Sequence, residues 1–460
     1  MSQLLDLPIE IFQLTMSELV KKHGIPDAWK ALGASRAFRD FIKYAVLANP
    51  SLNAYLKTPA GRKILREYLA DFLFVRSKKL NGFVRSHVPD FIRDVVLAMS
   101  QWTANDVEET ALRKALCEQF VRRHPDAFRY VTTRISRLVG HYARSFSVTE
   151  TANLVAAAAA TGNLSALKHF ARTEKRLLWS QSPAFGYPLD VAVYAGQDAV
   201  VKAIVQQAVT NQGRDFAGQS YTEHYSFCEA IRTAIELKDI RKLKYLLSKY
   251  TSAFGSATEC CVKAWLKTTI EFGGEDVLKL ILKVPSRYGP SIMYAAFETA
   301  CRLAKPDLLH LLFGSQVGQT TLSINHVEDF TYPLLTAVKA CATQEDAIFI
   351  KELLKLCADP NGPAYLANLD RPLVAAMRDG KTAACLVLLE AGANPHLVAC
   401  TRWVNRMRKL YPRDTEAGKA LREALKICEK PKVARDEDFL VEVVEADEEV
   451  EMDGDDEMEL

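Results

Sequence analysis

The pattern of apolar positions repeats along residues 151–397 with a period of roughly one helix pair. Counted from an anchor in each period, an apolar residue follows after one position and a small residue, usually alanine, after four. The anchors are Leu154, Pro188, Ala230, Trp265, Ala296, Pro333 and Pro372. In five units an apolar pair begins sixteen positions after the anchor: Ile204-Val205, Leu246-Leu247, Ile281-Leu282, Leu312-Phe313 and Leu388-Leu389. In the unit of Pro333 the pair Leu353-Leu354 begins twenty positions after the anchor, which corresponds to an insertion of four residues. This spacing predicts two antiparallel helices per unit, and because one pair cannot bury its apolar face alone, the units should stack.

Two stretches near the end of this region carry a distinctive turn after the apolar pair. They read Leu353-Leu354-Lys355-Leu356-Cys357-Ala358-Asp359-Pro360-Asn361 and Leu388-Leu389-Glu390-Ala391-Gly392-Ala393-Asn394-Pro395. With the Pro-Leu-x-x-Ala motifs at Pro188, Pro333 and Pro372, they resemble the ankyrin repeat. The resemblance implies about seven units, degenerate between residues 226 and 313. It also implies that Gly392 ends its helix in a left-handed conformation, which Gly adopts without steric cost, whereas Cys357 departs from the pattern at the same place.

The first 48 residues predict three short helices. Apolar residues recur at helical spacing up to Val20, and Gly24 ends this stripe. Pro26 opens a second helix, and Ser35 caps a third. The segments that resemble the opening and the close of an F-box are Leu7-Pro8-Ile9-Glu10-Ile11 and Ser35-Arg36-Ala37-Phe38-Arg39.

The F-box resemblance covers residues 4–47 and implies contact with the adaptor subunit of a cullin–RING ubiquitin ligase. The residues that would dock this subunit, by resemblance, are Leu7, Pro8, Ile11 and Leu14. The residues that would support the docking surface are Trp29, Leu32, Phe38 and Ile42. Residues 23–27 exceed the compact family form, so the second helix is expected to be displaced. The alternative is an amphipathic helical cap that packs on its neighbours.

Residues 49–150 are predicted to form a basic helical connector. Residues 51–150 hold 17 Lys or Arg against 10 Asp or Glu, a net charge of +7. Apolar residues still recur at helical spacing, so the simplest interpretation is a helical segment whose bases face solvent. The bases of Arg122-Arg123-His124, with Arg129, Arg134 and Arg137, leave open a surface for nucleic acid.

Two further segments follow the repeats. Residues 398–435 are expected to form a helical cap, because the end face of a stacked array would otherwise be exposed. Residues 436–460 contain 14 Asp or Glu and no Lys or Arg, a composition typical of a disordered tail. Within this tail Val441, Val443 and Val444, edged by acids, resemble a SUMO-interacting motif that adds as a strand to a partner's sheet. The alternative is a tail that folds back on the basic cap.

The formal net charge of +3 is therefore a cancellation. Subtracting the tail leaves 59 basic and 42 acidic residues, so residues 1–435 carry a net charge of +17. Ten cysteines without C-x-x-C spacing indicate reduced thiols in an intracellular protein, in the cytoplasm, the nucleus or both. The apolar run from Leu154 to Ala160 is too short to cross a membrane, and no secretory leader is expected at the start.

No motif in the sequence predicts catalysis, a metal site or a cofactor. The segment Arg378-Asp379-Gly380-Lys381-Thr382 imitates the end of a phosphate-binding loop, but Ala375 stands where that loop requires Gly. The scattered His and Cys residues lack the spacing of a zinc site. The chain is therefore expected not to be an enzyme.

The sequence predicts an all-α protein: an ankyrin-like α-solenoid preceded by a small three-helix F-box-like domain and a helical connector. The function that these resemblances imply is a substrate-recognition adaptor. It would link an unidentified protein target on the solenoid to a cullin–RING ubiquitin ligase. The alternatives are an ankyrin-repeat scaffold with no ligase role and a nuclear factor whose connector contacts nucleic acid.

Overall fold

The computed structural model describes residues 8–33, 36–78, 87–103, 106–132, 146–210, 219–286, 290–303, 305–314, 324–325, 332–343, 346–363, 371–397, 412 and 414–427. Across these ranges the chain forms 23 α-helices and no β-strand, so the all-α prediction is confirmed. No helix in the described ranges is long and apolar enough to span a bilayer.

Eight helices precede the repeated region. They are α1 (Ile9–Lys30), α2 (Arg36–Ala48), α3 (Leu52–Leu56), α4 (Pro59–Glu67), α5 (Leu69–Arg76), α6 (His87–Met99), α7 (Asp106–Arg123) and α8 (Ala127–Thr132). The repeated region follows as helix pairs. They are α9 (Thr151–Thr161) with α10 (Leu164–Thr173), α11 (Pro188–Tyr194) with α12 (Asp198–Thr210), α13 (Gln219–Glu236) with α14 (Ile240–Phe254), α15 (Glu259–Thr268) with α16 (Glu275–Leu282), α17 (Pro290–Arg302) with α18 (Leu309–Gly314), α19 (Pro333–Ala340) with α20 (Ala347–Lys355), and α21 (Pro372–Arg378) with α22 (Thr382–Glu390). The last described helix is α23 (Glu416–Ile427).

The first helix is broken where the sequence predicts a boundary. Gly24 has non-helical angles, with φ of 80° and ψ of 169°, and Pro26 follows it inside α1. A positive φ is available to Gly without the Cβ clash that other residues meet, and Pro lacks the N–H of a continuous helix. The described start of the chain therefore consists of three short helical segments. Ser35, the expected cap of the third, lies outside the described residues.

These first helices share one hydrophobic core with the connector. The ring centroids of Phe12 in α1 and Phe41 in α2 lie 4.6 Å apart. Arg76 of α5 donates from Nε to the carbonyl oxygen of Leu47 at 2.8 Å, a buried bond across the expected domain boundary. Burial lowers the pKa of the Arg76 guanidinium. The start of the chain is therefore fixed to the connector by packing and by a buried hydrogen bond.

The helix pairs from α9 to α22, hereafter the helix-pair array, stack in chain order. The first helix of each pair packs against the first helix of the next, in an unbroken series from α9 to α21. Among the second helices, α12 packs on α14, α16 on α18 and α20 on α22. Helix α23 packs on α22, where the sequence predicts a cap. The described residues thus contain seven stacked helix pairs.

Polar side chains repeat the same tie between successive pairs. Gln197, in the turn after α11, donates from Nε2 to the carbonyl oxygen of Ala160 at the end of α9, at 3.3 Å. Lys381, in the turn after α21, donates from Nζ to Val338 O at 2.9 Å, at the end of α19. Each bond satisfies a helix carbonyl that lacks an intrahelical partner. The lysine of the phosphate-loop look-alike is therefore occupied by a neighbouring helix end.

The turns after α20 and α22 have the same geometry. Gly392 has φ of 89° and Cys357 has φ of 67°. The N–H of Ala393 donates to Leu388 O at 2.9 Å, and the N–H of Ala358 donates to Leu353 O at 3.1 Å. The prediction of a left-handed Gly392 is confirmed. Cys357 keeps the same turn despite its Cβ, which stores strain because left-handed angles crowd Cβ against the following carbonyl.

Replacing Cys357 with glycine is expected to stabilise the chain by about 0.5–1 kcal/mol, because it removes this strain while adding some backbone entropy to the unfolded state. The matched control is Gly392→Ala. A Cβ at Gly392 meets no atom within 4 Å, so this change adds only the left-handed penalty and should lower stability by about 1 kcal/mol. Urea denaturation of both variants measures the effect, and changes of the same sign would contradict it.

Candidate functional site

Helix α1 has one face in the core and another face in solvent. Phe12, Met16 and Val20 recur at intervals of four residues and are buried. On the opposite side the side chains of Ile11 and Leu14 are 48% and 59% exposed. Pro8, which precedes the first helical residue, is also exposed. An apolar surface, hereafter the α1 surface, is therefore formed by Pro8, Ile11 and Leu14, the described residues to which the F-box resemblance assigns docking.

The residues expected to support this surface lie in different environments. Ile42 is fully buried, whereas Trp29 and Leu32 are partly buried and pack on the core. The Trp29 ring stands edge-on to Tyr68, with centroids 4.8 Å apart, so it ties the second helical segment to the connector. Of the other predicted site residues, Leu7, Val441, Val443 and Val444 lie outside the described residues, and Phe38 lies in α2 with its side chain outside the description.

Covering the exposed apolar atoms of the α1 surface with a partner would stabilise the resulting complex. Ile11 and Leu14 lie three positions apart, one helical turn, so their side chains are neighbours. Full burial of a large aliphatic side chain contributes about 1.5–3 kcal/mol, and these two are half exposed, which leaves about 1 kcal/mol each for a partner to recover. Exposed Glu10 and the Glu18–Lys21 ion pair at 2.5 Å lie on the same helix. The arrangement suits an apolar contact with a polar rim.

Arg122 of the connector is held inside the molecule. Its Nη2 lies 3.2 Å from Asp190 Oδ1 in α11 and 3.3 Å from Glu236 Oε2 in α13. The same nitrogen donates to the Thr233 hydroxyl, which itself donates to Asp190. The guanidinium also stands 4.7 Å from the centroid of the Tyr194 ring. Arg122 therefore joins the connector to the first helices of two units.

The electrostatics of this network favour the charged guanidinium. Burial alone would lower the pKa of Arg122, but the carboxylates of Asp190 and Glu236 outweigh that effect and raise it. Asp190 is 4% exposed, and a buried carboxyl group needs polar partners such as Arg122 and Thr233. Arg122, the first residue of the predicted basic cluster Arg122-Arg123-His124, is thus paired inside the fold and is not offered to a phosphate. Arg134 and Arg137 lie outside the described residues.

The sequence contained a signal for this network that the repeat pattern obscured. The position two after the motif proline is Asp190 in one unit, but Leu335 and Val374 in the other two units with that motif. A carboxylate where equivalent units carry buried apolar residues indicates a buried charge partner. The sequence does not show that this partner is Arg122, because Arg122 lies 68 residues away along the chain.

His124 occupies an aromatic cluster behind the same network. Its Nε2 lies 3.2 Å from the carbonyl oxygen of Ala184, and its ring centroid lies 4.7 Å from Phe120 and 5.1 Å from Tyr130. Burial is the main cause that lowers the pKa of this imidazole to about 4; the Ala184 bond opposes the shift and Arg123 adds to it. His124 is therefore neutral at neutral pH and serves packing.

Acidification is expected to destabilise the protein through His124. Its pKa is about 4 in the folded chain and about 6.5 when unfolded, so the unfolded state binds the proton more readily between these values. The contribution is complete above about pH 6.5 and falls as pH decreases toward 4; for a half-buried ring it amounts to about 1–2 kcal/mol. The urea midpoint of the parent chain should therefore fall more between pH 7 and pH 4.5 than the urea midpoint of His124→Phe. An unchanged difference between the two midpoints would contradict this role.

Comparisons with known proteins give no family for the chain. No protein-family model matches it, and no curated protein matches it. In the described part of the chain, no three His, Cys, Asp or Glu side chains are grouped to hold a metal ion. The assignment of function therefore depends on the α1 surface and on the helix-pair array.

Proposed function

We propose that this chain is a non-catalytic adaptor that links a protein target to a cullin–RING ubiquitin ligase. The α1 surface docks the ligase adaptor subunit, and the helix-pair array, as an ankyrin-like solenoid, holds the target. The observation that carries the proposal is the exposure of Ile11 and Leu14 at the start of the helix that resembles the F-box opening. Leu7 belongs to the same docking set by resemblance.

The array supports the binding half of the proposal. Stacked helix pairs expose the same elements of every unit along one extended surface, which suits a protein partner. The matching turns at Cys357 and Gly392 and the repeated ties of Gln197 and Lys381 are what an ankyrin-like solenoid needs to keep successive units in register. Neither half needs chemistry of its own, because the ligase supplies the transfer reaction.

A scaffold without a ligase role is the second candidate. The observation in its favour is the continuity of the core from α1 through α5, with Arg76 bonded to Leu47 across the expected boundary. A helical cap would pack on its neighbour in this way. For the nuclear-factor alternative, the described connector offers exposed Arg129, while Arg122 is occupied within the fold.

Co-purification with the ligase adaptor subunit distinguishes the two candidates. The full chain is expected to retain this subunit, and Ile11→Ser with Leu14→Ser to lose it, because the variant replaces both exposed apolar side chains. The matched control is Leu97→Ser with Val107→Ser, which changes two apolar residues on α6 and α7 that are 58% and 77% exposed. Retention by the control but not by the α1 variant supports the adaptor role. No retention by the parent chain would leave the scaffold as the function.

A further inference from the structure

Three consecutive units expose a large apolar residue at the same position. Leu237, Phe272 and Leu303 are 44%, 48% and 38% exposed, and each stands seven residues after the anchor of its unit. The equivalent residues in the other four units are Thr161, Ala195, Ala340 and Asp379. Single exposed apolar residues are common on protein surfaces, but recurrence at one register position in adjacent units places them side by side.

The contacts of the array make these residues one row. Helices α13, α15 and α17 pack in order, and the π-helical turn Thr269–Gly273, which bears Phe272, contacts the helices on both sides. A Cβ on Gly273 would lie 3.3 Å from Cγ2 of Ile235, two residues before Leu237. Neighbouring packed helices are about 8–10 Å apart, so the three side chains form a row about 20 Å long. We call Leu237, Phe272 and Leu303 the apolar row.

The surroundings of the row are basic in balance. Exposed Lys238, Arg302 and Lys305 stand one or two residues from its members. Three carboxylates stand equally close, at Glu236, Asp239 and Glu271, but Glu236 is paired with Arg122 and Asp239 with Lys242 inside the fold. Over the three units, residues 226–314 hold 13 Lys or Arg and 9 Asp or Glu, so 13 minus 9 gives a net charge of +4. An occupant that is both apolar and acidic fits this surface.

The carboxyl-terminal tail has this chemistry and sufficient length. It reads Asp436-Glu437-Asp438-Phe439-Leu440-Val441-Glu442-Val443-Val444, an apolar stretch between acids. Helix α23 ends at Ile427 on the last pair, and the 12 residues from there to Phe439 can extend to about 40 Å. Two steps of about 10 Å along the array lead from the last unit to Leu303, and a third leads to Phe272.

We propose that residues 436–444 dock on the apolar row of their own chain. Phe439, Leu440 and Val441 cover Leu303 and Phe272, and the flanking acids face the surrounding bases. The contact occupies the array surface until a partner with the same apolar and acidic character displaces the tail. This docking requires no ligase subunit, so it can be tested independently of the adaptor function.

Photo-crosslinking in the full-length chain tests this contact. The photo-reactive amino acid benzoylphenylalanine, installed at position 439, is expected to crosslink within a monomer to peptides that contain Leu237, Phe272 or Leu303. Because opposite charge contributes, the yield should fall severalfold between 50 mM and 500 mM NaCl. Crosslinked dimers in place of monomers would identify a second copy as the occupant and overturn the proposal, as would crosslinks only elsewhere on the chain.

Two matched variants separate the row from the rest of the surface. Leu237→Ser, Phe272→Ser and Leu303→Ser together should reduce the crosslink at least fivefold, with the thermal midpoint within a few degrees of the parent because all three residues are exposed. Ile348→Ser with Leu356→Ser, two exposed apolar residues on and just after α20, should leave the yield unchanged. Docking on the row would be contradicted if the crosslink yield fell equally in both variants or fell in neither.

Discussion

Asp190→Ala is expected to destabilise the chain by about 2–3 kcal/mol. The substitution leaves the Arg122 guanidinium, 19% exposed, with one of its two carboxylates and removes the acceptor of the Thr233 hydroxyl. Breaking a buried ion pair by removing one partner costs about 3–5 kcal/mol, and the remaining Glu236 reduces that loss. Urea denaturation at neutral pH measures the change.

The double variant Arg122→Met with Asp190→Leu is the control for the buried charge. It replaces both partners by apolar residues of similar size and should recover much of the loss, because neither member of the pair is left buried without its counter-charge and Glu236 keeps Arg232 at 3.6 Å. Arg93→Met, which breaks ion pairs with Asp90 and Asp94, both 49% exposed, should cost less than about 1 kcal/mol. If Asp190→Ala costs no more than Arg93→Met, Arg122 does not fix the connector to the array.

Trp265→Ala is expected to cost about 3–5 kcal/mol, the largest single effect in the array. The Trp265 side chain is fully buried, donates from Nε1 to Cys228 O at 3.0 Å and packs edge-on to Tyr250 with ring centroids 5.2 Å apart. Truncation leaves a cavity between α13 and α15 and a buried carbonyl without its partner. Urea denaturation gives the magnitude, and amide exchange should show faster exchange in α13 and α17.

Phe272→Ala provides the comparison within the same unit. Phe272 is nearly as large as Trp265 but half exposed, so its loss should cost less than about 1 kcal/mol. Similar losses from both substitutions would mean that the fourth unit does not share the core of its neighbours. This test matters because the ankyrin-like pattern is weakest in residues 226–313.

The helix pairs were predictable because their signal is local. Anchor, apolar pair and turn all fall within about 20 residues, so one sequence suffices to set the register. The break at Gly24 and the left-handed Gly392 follow in the same way from single residues with special backbone freedom. At the position four after the anchor, six units carry alanine and one carries Thr269, and at Thr269 the helix widens into a π turn. The sequence shows the change from alanine to Thr269, but it does not predict the π turn that forms there.

The parts that escaped prediction depend on contacts between distant segments. Arg122 meets Asp190 and Glu236 across 68 and 114 residues, and Lys381 meets Val338 across 43. A single sequence shows such residues as surface charges, since nothing local distinguishes a paired base from a solvated one. The apolar row was also hidden, because the exposure of Leu237 depends on which side of the stack its turn faces. For the α1 surface, the sequence predicted the docking residues, and the structure adds that Ile11 and Leu14 are exposed.

Direct binding of the purified ligase adaptor subunit to the full-length chain tests the central claim. Isothermal titration calorimetry is expected to give one site per chain with a dissociation constant in the micromolar range or below. Ile11→Ser with Leu14→Ser should weaken binding at least tenfold, which corresponds to about 1.4 kcal/mol, and the control Leu97→Ser with Val107→Ser should bind like the parent. An absence of binding at 50 μM subunit, or equal affinity of the α1 variant and the parent, would contradict the adaptor function.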